Sequence, residues 1–485
     1  MSALSGVRRF GIALVAMLVV AGVVVGSVTG FFRATAEHGL YASGLWVDGG
    51  ASTISPGALD APATPRRSTT PSPRATADDL PSPVLAAAGK SRVASAAKVA
   101  AQVRAVSIAG MGGSYSGEVA DLSTGKVLYS HRASTPYIPA STMKLLTTTA
   151  ALSLLGPEHE FTTSVVRSGK HRVVLVGGGD PYLGAKADPE HPGRASLAAL
   201  ATTSAAELRR AGTTKVSLRY DASLFSGPAW NSHWPDTYAD QVTPVSALWA
   251  DEGRATGGSP GPRVSNPALD AATTFAKALK RHGVSVTSVS AGRAPKSATR
   301  VAQVRSAPLE QIVQQLLLAS DNDAAEVLFR QVALASHHAG SSAAGVRAVK
   351  ARLTKLGVWD SSATINDGSG LARQTKVPAD LLVAVLRAAA SPTHPELRGV
   401  LTGLPVAGVE GSLRRRYGDD DTEVGRGVVR AKTGTLSEVH ALAGYLRTAD
   451  GSQLAFAFVV NDAKNDYVAQ VWLDRVGAAL SRCGC

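Results

Sequence analysis

Three short clusters carry the residue types of a nucleophilic active site. Ser141 and Lys144 lie three residues apart, nearly one helical turn, so their side chains share one face. A serine hydroxyl is a weak nucleophile until a neighbouring base takes its proton. A partly desolvated lysine is neutral often enough to serve as that base. Ser320-Asp321-Asn322 closes an apolar helical stretch. On a turn between helices its hydroxyl can relay a proton and its carboxamide can hold a peptide carbonyl, while the same residue types also make good helix N-caps. Lys432-Thr433-Gly434-Thr435 interrupts an apolar strand. A cation and hydroxyls there are costly without a partner, and Gly434 leaves space for a substrate backbone to approach. Singly, each cluster has an ordinary explanation: a solvated helix lysine, a cap, a decorated edge strand. Their joint occurrence in this order carries the weight.

The elements that must position them follow from periodicity. Gly117–Asp121 and Lys126–Tyr129 flank a Ser-Thr-Gly turn and predict a hairpin. Pro139 onward predicts a helix stopped by Gly156. His171–Val176 reads as a buried strand ending in Gly177-Gly178-Gly179-Asp180-Pro181, a turn without the Lys-Ser/Thr of a phosphate loop. Pro308–Arg330 predicts a helix, with Leu309, Ile312, Val313, Leu316 and Leu317 on one face. Val428–Leu436, Ala441–Leu446 and Leu454–Val460 predict a strand meander, followed by a helix over about 465–481. The order predicts an α+β fold, a mainly antiparallel sheet flanked by helices and interrupted by an insert. The expected divisions are a catalytic domain over 101–165 and 299–482, with an inserted accessory region at 166–298.

The 485 residues contain 45% apolar residues and 18% charged ones, enough for a large core. The net charge of +13 is spread along the chain, its densest run being Arg414-Arg415-Arg416. No basic stripe with aromatics is visible, so nucleic acid is not the expected partner; an anionic envelope surface is. Residues 1–9 read as a basic cytoplasmic stub. Phe10–Phe32 is an uncharged run long enough to span a bilayer. Arg8 and Arg9 place the bulk of the chain outside the cytoplasm, either anchored or released at Ala34-Thr35-Ala36. Residues 33–100, rich in Pro, Ser, Thr and Ala, read as a disordered tether, with order beginning near Val106. Cys483 and Cys485 are the sole cysteines, which excludes a disulfide scaffold and a cysteine zinc site. His159, His171, His337 and His338 form no His-Glu-x-x-His pattern and read as structural or surface residues.

Ser-x-x-Lys, Ser-Asp-Asn and Lys-Thr-Gly in this order are the motif set of class A β-lactamases and penicillin-binding proteins. The chain resembles the penicillin-binding D-alanyl-D-alanine carboxypeptidases/endopeptidases of the low-molecular-mass class C type (peptidase family S13). Tyr220–Phe225, Pro244–Leu248, Asp367-Gly368-Ser369-Gly370-Leu371 and Leu404–Gly408 add to the likeness over roughly 107–480. The resemblance implies a β-lactamase/transpeptidase-like fold with an accessory domain inserted between the first and second motifs, here short for the family. It implies Ser141 as nucleophile, Lys144 as its base, Ser320 and Lys432 as proton relay, and Asn322, Thr433, Gly434 and Thr435 as substrate-binding. Backbone N–H groups of Ser141 and Thr435 would form the oxyanion hole. Arg373 would read the side-chain carboxylate of a diamino acid, or is an ordinary surface arginine; Ala372 stands where the family commonly has serine. The implied substrates are peptidoglycan stem peptides, with β-lactams as covalent inhibitors. The alternatives are a β-lactamase, which lacks support because no Glu-x-x-Leu-Asn follows Ser320, and a non-catalytic wall-binding module of the same fold.

Overall fold

A computed structural model describes residues 93–485. Helix α1 (Ala96–Ala105) leads into the hairpin β1 (Ser114–Asp121) and β2 (Val127–His131). A 3-10 turn, Ala140–Met143, runs directly into α2 (Lys144–Leu155), which Gly156 stops at φ +84°. The insert contributes β3 (Thr162–Gly169), β4 (Arg172–Val176), α3 (Leu197–Arg210), β5 (Lys215–Asp221), α4 (Pro267–Arg281), β6 (Ser285–Ala291) and β7 (Thr299–Arg305). Then come α5 (Leu309–Ala319), α6 (Asn322–Ala335), α7 (Ser342–Lys355), α8 (Ala379–Ala390) and the short α9 (Arg398–Thr402). β8 (Arg430–Leu436), β9 (Val439–Arg447), β10 (Gln453–Asn461) and α10 (Asp466–Arg482) complete the fold.

The first sheet has the order β2-β1-β10-β9-β8 and is antiparallel throughout. It is buried on both faces, and strand alternation sorts its side chains. Ala441, Ala443, Ala455, Ala457 and Val459 join the core shared with α2, α5, α6, α7 and α8. Leu442, Leu446, Leu454, Phe456, Phe458 and Val460 join the opposite core, with Trp472 of α10 and Val99 and Val103 of α1. The alanine face lets helices approach closely; the large-residue face fills a wider gap. The second sheet, β6-β5-β4-β3-β7, is mixed, with parallel β4–β5 and β5–β6 pairs. Helices α3 and α4 bury their apolar stripes with it in a separate core.

The structure moves three boundaries. The insert's sheet starts at Thr162 and ends at Arg305, wider than 166–298, because β3 and β7 pair antiparallel where the chain leaves and returns. Order is in place by α1, ahead of Val106, because Ala94, Val99 and Val103 are buried in the core under α10. The single helix expected over Pro308–Arg330 is two helices, broken where Ser320 adopts φ +57°. The strand meander, the hairpin and the final helix lie where periodicity placed them. Cys483 and Cys485 pair with each other in a disulfide. The apolar run 10–32 and the tether to residue 92 lie outside the described residues. No helix among the described residues is long and apolar enough to cross a membrane.

Candidate active site

Ser141 sits in the 3-10 turn and Lys144 opens α2, so the pair is presented by a turn rather than by one continuous α-helix. Ala140 adopts φ +47° to make that turn. Two glycines make room for it. A Cβ at Gly434 would lie 2.6 Å from the Pro139 carbonyl oxygen and 3.2 Å from Ala140 Cβ, and one at Gly370 would collide with the Ala140 carbonyl. On the side where a Cβ would stand, the space at Gly434 is thus taken by the nucleophile's own turn.

Lys144 is fully buried. Its Nζ donates to Asn322 Oδ1 at 2.7 Å, to the Ser369 carbonyl at 2.9 Å and to Ser141 Oγ at 2.7 Å. Burial lowers its pKa to about 8, against the opposing pull of Asp321, Asp367, Glu326 and Asp323. A neutral amine keeps two N–H groups and one lone pair. With Asn322 and Ser369 accepting the two protons, the lone pair is left for the Ser141 hydroxyl.

Lys432, also fully buried, donates to Ser320 Oγ at 2.7 Å and to the Thr433 carbonyl at 3.0 Å. Burial, and then the charge of Lys144, hold its pKa well below the ordinary lysine value. The left-handed turn at Ser320 aims that hydroxyl at β8, while Asp321 caps α6 by accepting the Ala324 N–H at 3.0 Å. The cap and the cleft-facing hydroxyl coexist because they belong to adjacent residues. Thr433 Oγ1 and Ser412 Oγ are 2.7 Å apart. Strand β8 is an edge strand, and Ala431 directs its N–H away from β9 to the Pro405 carbonyl. The β8–β9 register is unbroken, so Thr433 and Thr435 direct their N–H groups to that same outer side. Arg373 donates to the Ser437 carbonyl at 3.0 Å, just past the end of β8.

Sequence reasoning missed several supports. Glu326, fully buried, accepts the N–H groups of Gly368 (2.9 Å) and Ser369 (2.8 Å), fixing the residue whose carbonyl accepts from Lys144. Its burial, and then Asp367, push its pKa up to about 8. Its spacing of four from Asn322 on α6 was the available signal. Asp367 accepts from Ala372 N–H at 2.7 Å and from Trp234 Nε1 at 2.9 Å. The insert braces the second motif: Asn322 Nδ2 donates to the Gln241 carbonyl at 3.1 Å, and Arg254 pairs with Asp321 at 2.8 Å and with Glu252 at 2.9 Å. Burial, the largest influence, would raise the Asp321 pKa, but the Arg254 guanidinium, the hydrogen bonds with Glu252 and the Ala324 N–H, and the charge of Lys144 together hold it low. Glu252, Asp321 and Asp323 form the one acidic trio of metal-binding spacing among the described residues. Arg254 and Arg263 already neutralise it, Arg263 lying 3.2 Å from Asp323.

An antiparallel five-stranded sheet flanked by helices, with a serine–lysine pair, a second serine and a strand lysine converging at its edge, defines the β-lactamase/transpeptidase-like class. Within that class the chain belongs to the D-Ala-D-Ala carboxypeptidase 3 (S13) family, whose model matches residues 98–257 and 255–476. It is 36% identical over 412 residues to a carboxypeptidase of Mycobacterium tuberculosis, covering 83% of this chain and 87% of that one. It is 36% identical over 384 residues to carboxypeptidase DacB of Mycolicibacterium smegmatis, with 77% and 81% covered. It is 31% identical over 424 residues to the D-alanyl-D-alanine carboxypeptidase of Actinomadura sp. strain R39, with 71% and 77% covered. The crystal structure of penicillin binding protein 4 (dacB) from Haemophilus influenzae shares the fold, with a TM-score of 0.63 at 20% identity, covering 78% of this chain and 98% of that one.

Proposed function

We propose that the protein is a serine-type D-Ala-D-Ala carboxypeptidase that trims peptidoglycan stem peptides in the cell envelope through an acyl-enzyme and is acylated by β-lactams. The observation that carries this reading is the fully buried Lys144 Nζ at 2.7 Å from Ser141 Oγ, with its other two protons already bound. Neutral Lys144 takes the Ser141 proton as Oγ attacks the carbonyl between two D-alanines. Thr435 N–H, on the outer side of β8, and Ser141 N–H stabilise the oxyanion, each such donor being worth ~3 kcal/mol. Ser320, with Lys432 behind it, passes a proton to the leaving amine. Asn322 holds the acyl-side peptide. Lys432, Thr433 and Thr435, beside Gly434, hold the terminal carboxylate. Arg373, at the end of β8, takes the carboxylate of a diamino-acid side chain in the stem. Water then releases the acyl group. The chain's own groups suffice for each step, without metal or cofactor.

The test is labelling by a fluorescent penicillin. The wild type forms a long-lived adduct and Ser141→Ala forms none. Labelling that survives in Ser141→Ala discards the assignment, and rapid turnover of the penicillin makes the protein a β-lactamase instead.

A further inference from the structure

The loop of residues 404–413 runs along the outer edge of β8 and is fastened to the elements on either side of it. Ala431 donates its N–H to the Pro405 carbonyl at 3.0 Å, and Ala407 donates to the Val429 carbonyl at 2.9 Å, so the loop takes up the strand's outer edge as far as the residue before Lys432. Gly408 closes the loop on itself by donating to the Leu413 carbonyl at 3.0 Å. Leu404, Ala407 and Leu413 are fully buried and anchor it in the protein's cores. Gly411 adopts φ +61°, and a Cβ there would lie 2.9 Å from the Leu318 carbonyl oxygen and 3.1 Å from Pro405. The loop is thereby wedged against the last turn of α5, just before Ser320.

This fastened loop carries one hydroxyl to the site. Ser412 Oγ stands 2.7 Å from Thr433 Oγ1. A hydroxyl has one proton and two acceptor positions, so in a pair of hydroxyls one donates and the other accepts. The direction matters for Thr433. An ionised carboxylate only accepts, so Thr433 can serve the terminal carboxylate of a substrate only as a donor. Were Thr433 to give its proton to Ser412, it would turn lone pairs toward the carboxylate and repel it. With Ser412 as the donor, the Thr433 proton is left for the carboxylate, and the two O–H groups form a chain polarised in one direction.

We propose that Ser412 is a positioning residue that selects for a free terminal carboxylate: its hydroxyl donates to Thr433 Oγ1 and so turns the Thr433 proton toward the carboxylate of the leaving D-alanine or of a β-lactam. The proposal rests on the carboxylate-binding part of the function proposed above. Lys144 bonds Ser141, Asn322 and Ser369, and Lys432 bonds Ser320 and Thr433. Ser412 is a partner of neither lysine, so its loss weakens recognition of the carboxylate and leaves the base and the proton relay in place.

The test uses the full chain with benzylpenicillin and with its methyl ester, which keeps the β-lactam ring and lacks the carboxylate charge. The second-order acylation rate is measured for each compound in the wild type, Ser412→Ala and Ser412→Thr, together with kcat/KM for release of D-alanine from a stem pentapeptide. Weakening one hydrogen bond to a charged group predicts about a 10-fold fall for benzylpenicillin and for the pentapeptide in Ser412→Ala, the latter carried by KM. The ester rate moves by less than about two-fold, which also reports an intact fold and an intact Ser141–Lys144 pair. Ser412→Thr keeps a hydroxyl donor and recovers the preference for acid over ester. An equal fall for acid and ester in Ser412→Ala, wild-type rates on both, or a threonine variant that stays at the alanine value overturns the proposal. A wild type acylated by both compounds with no preference for the acid removes the carboxylate from Thr433, and the proposal with it, while the serine mechanism stands. A wild type that reacts with neither compound and releases no D-alanine defeats the carboxypeptidase reading itself, and this one with it.

Discussion

Lys144 is where burial becomes chemistry. Its folded pKa of about 8 lies below the ordinary 10.5, so the folded state holds fewer protons than the unfolded one between these values. The sign follows: the cost of burying the amine is fully present below about pH 8 and is relieved as pH rises toward 10.5. Activity moves the same way, because the base must be neutral. The second-order rate of penicillin acylation is expected to climb as pH rises through about 8 and then level off. Lys144→Ala is expected to remove that rise and slow acylation about 10²–10⁴-fold. A rate that is flat from pH 6 to 10 in the wild type would remove Lys144 as the base. Glu326 acts one step further out, by holding the N–H groups of Gly368 and Ser369 and so placing the Ser369 carbonyl against Lys144. Glu326→Ala strands two buried N–H groups and is expected to destabilise by about 2–4 kcal/mol and to slow acylation. Glu326→Gln keeps an acceptor for both groups and should recover most of each loss, as read by denaturant melts and acylation rates.

At the scale of elements, the site is a meeting of two turns and an edge strand. The 3-10 turn before α2 carries Ser141, the left-handed break between α5 and α6 carries Ser320, and β8 carries Lys432. Gly434 is the joint between the first and third, since it lets Pro139 and Ala140 lie against the strand. Gly434→Ala is expected to push the turn off β8 and lower acylation about 100-fold, the usual cost of an ångström-scale misplacement of a reacting group. The neighbouring strand's closest approach to the new methyl is Ala441 Cβ, 3.1 Å away, so thermal melting should move by no more than a few degrees. Wild-type acylation rates in this variant would restore the idea that the glycine serves the substrate alone.

Across the whole molecule, two cores sandwich the first sheet and a third fills the insert. The insert is not a passive appendage, because Gln241, Arg254 and Arg263 hold the residues flanking Ser320. At the other end α1 closes the core under α10, and it is tied there by Ser95 N–H to the Cys485 carbonyl at 3.0 Å and by Lys98 Nζ to the Gly484 carbonyl at 2.9 Å. A fragment of residues 93–485 is therefore expected to be acylated like the full chain. A fragment of residues 107–485 loses the buried Val99 and Val103 and is expected to be less stable by about 3 kcal/mol or more. Equal melting of the two fragments would show that α1 contributes no packing.

The chain's own pattern of residues determined the class of the fold, the strand meander and hairpin, and the chemical identity of the three clusters. These are local properties, written in spacings of two to four residues and in caps and stops such as Asp321 and Gly156. Which groups meet was decided only in three dimensions. Lys144 reaches Asn322 across 178 residues and Lys432 reaches Ser320 across 112, distances that no periodicity encodes. The support from Glu326 and Arg254, the true neighbour of Gly434, and the reach of the insert's sheet to Thr162 and Arg305 belong to the same category. Each depends on how helices and strands far apart in the chain pack against one another, and packing follows from the summed shape and burial of many side chains rather than from any one motif.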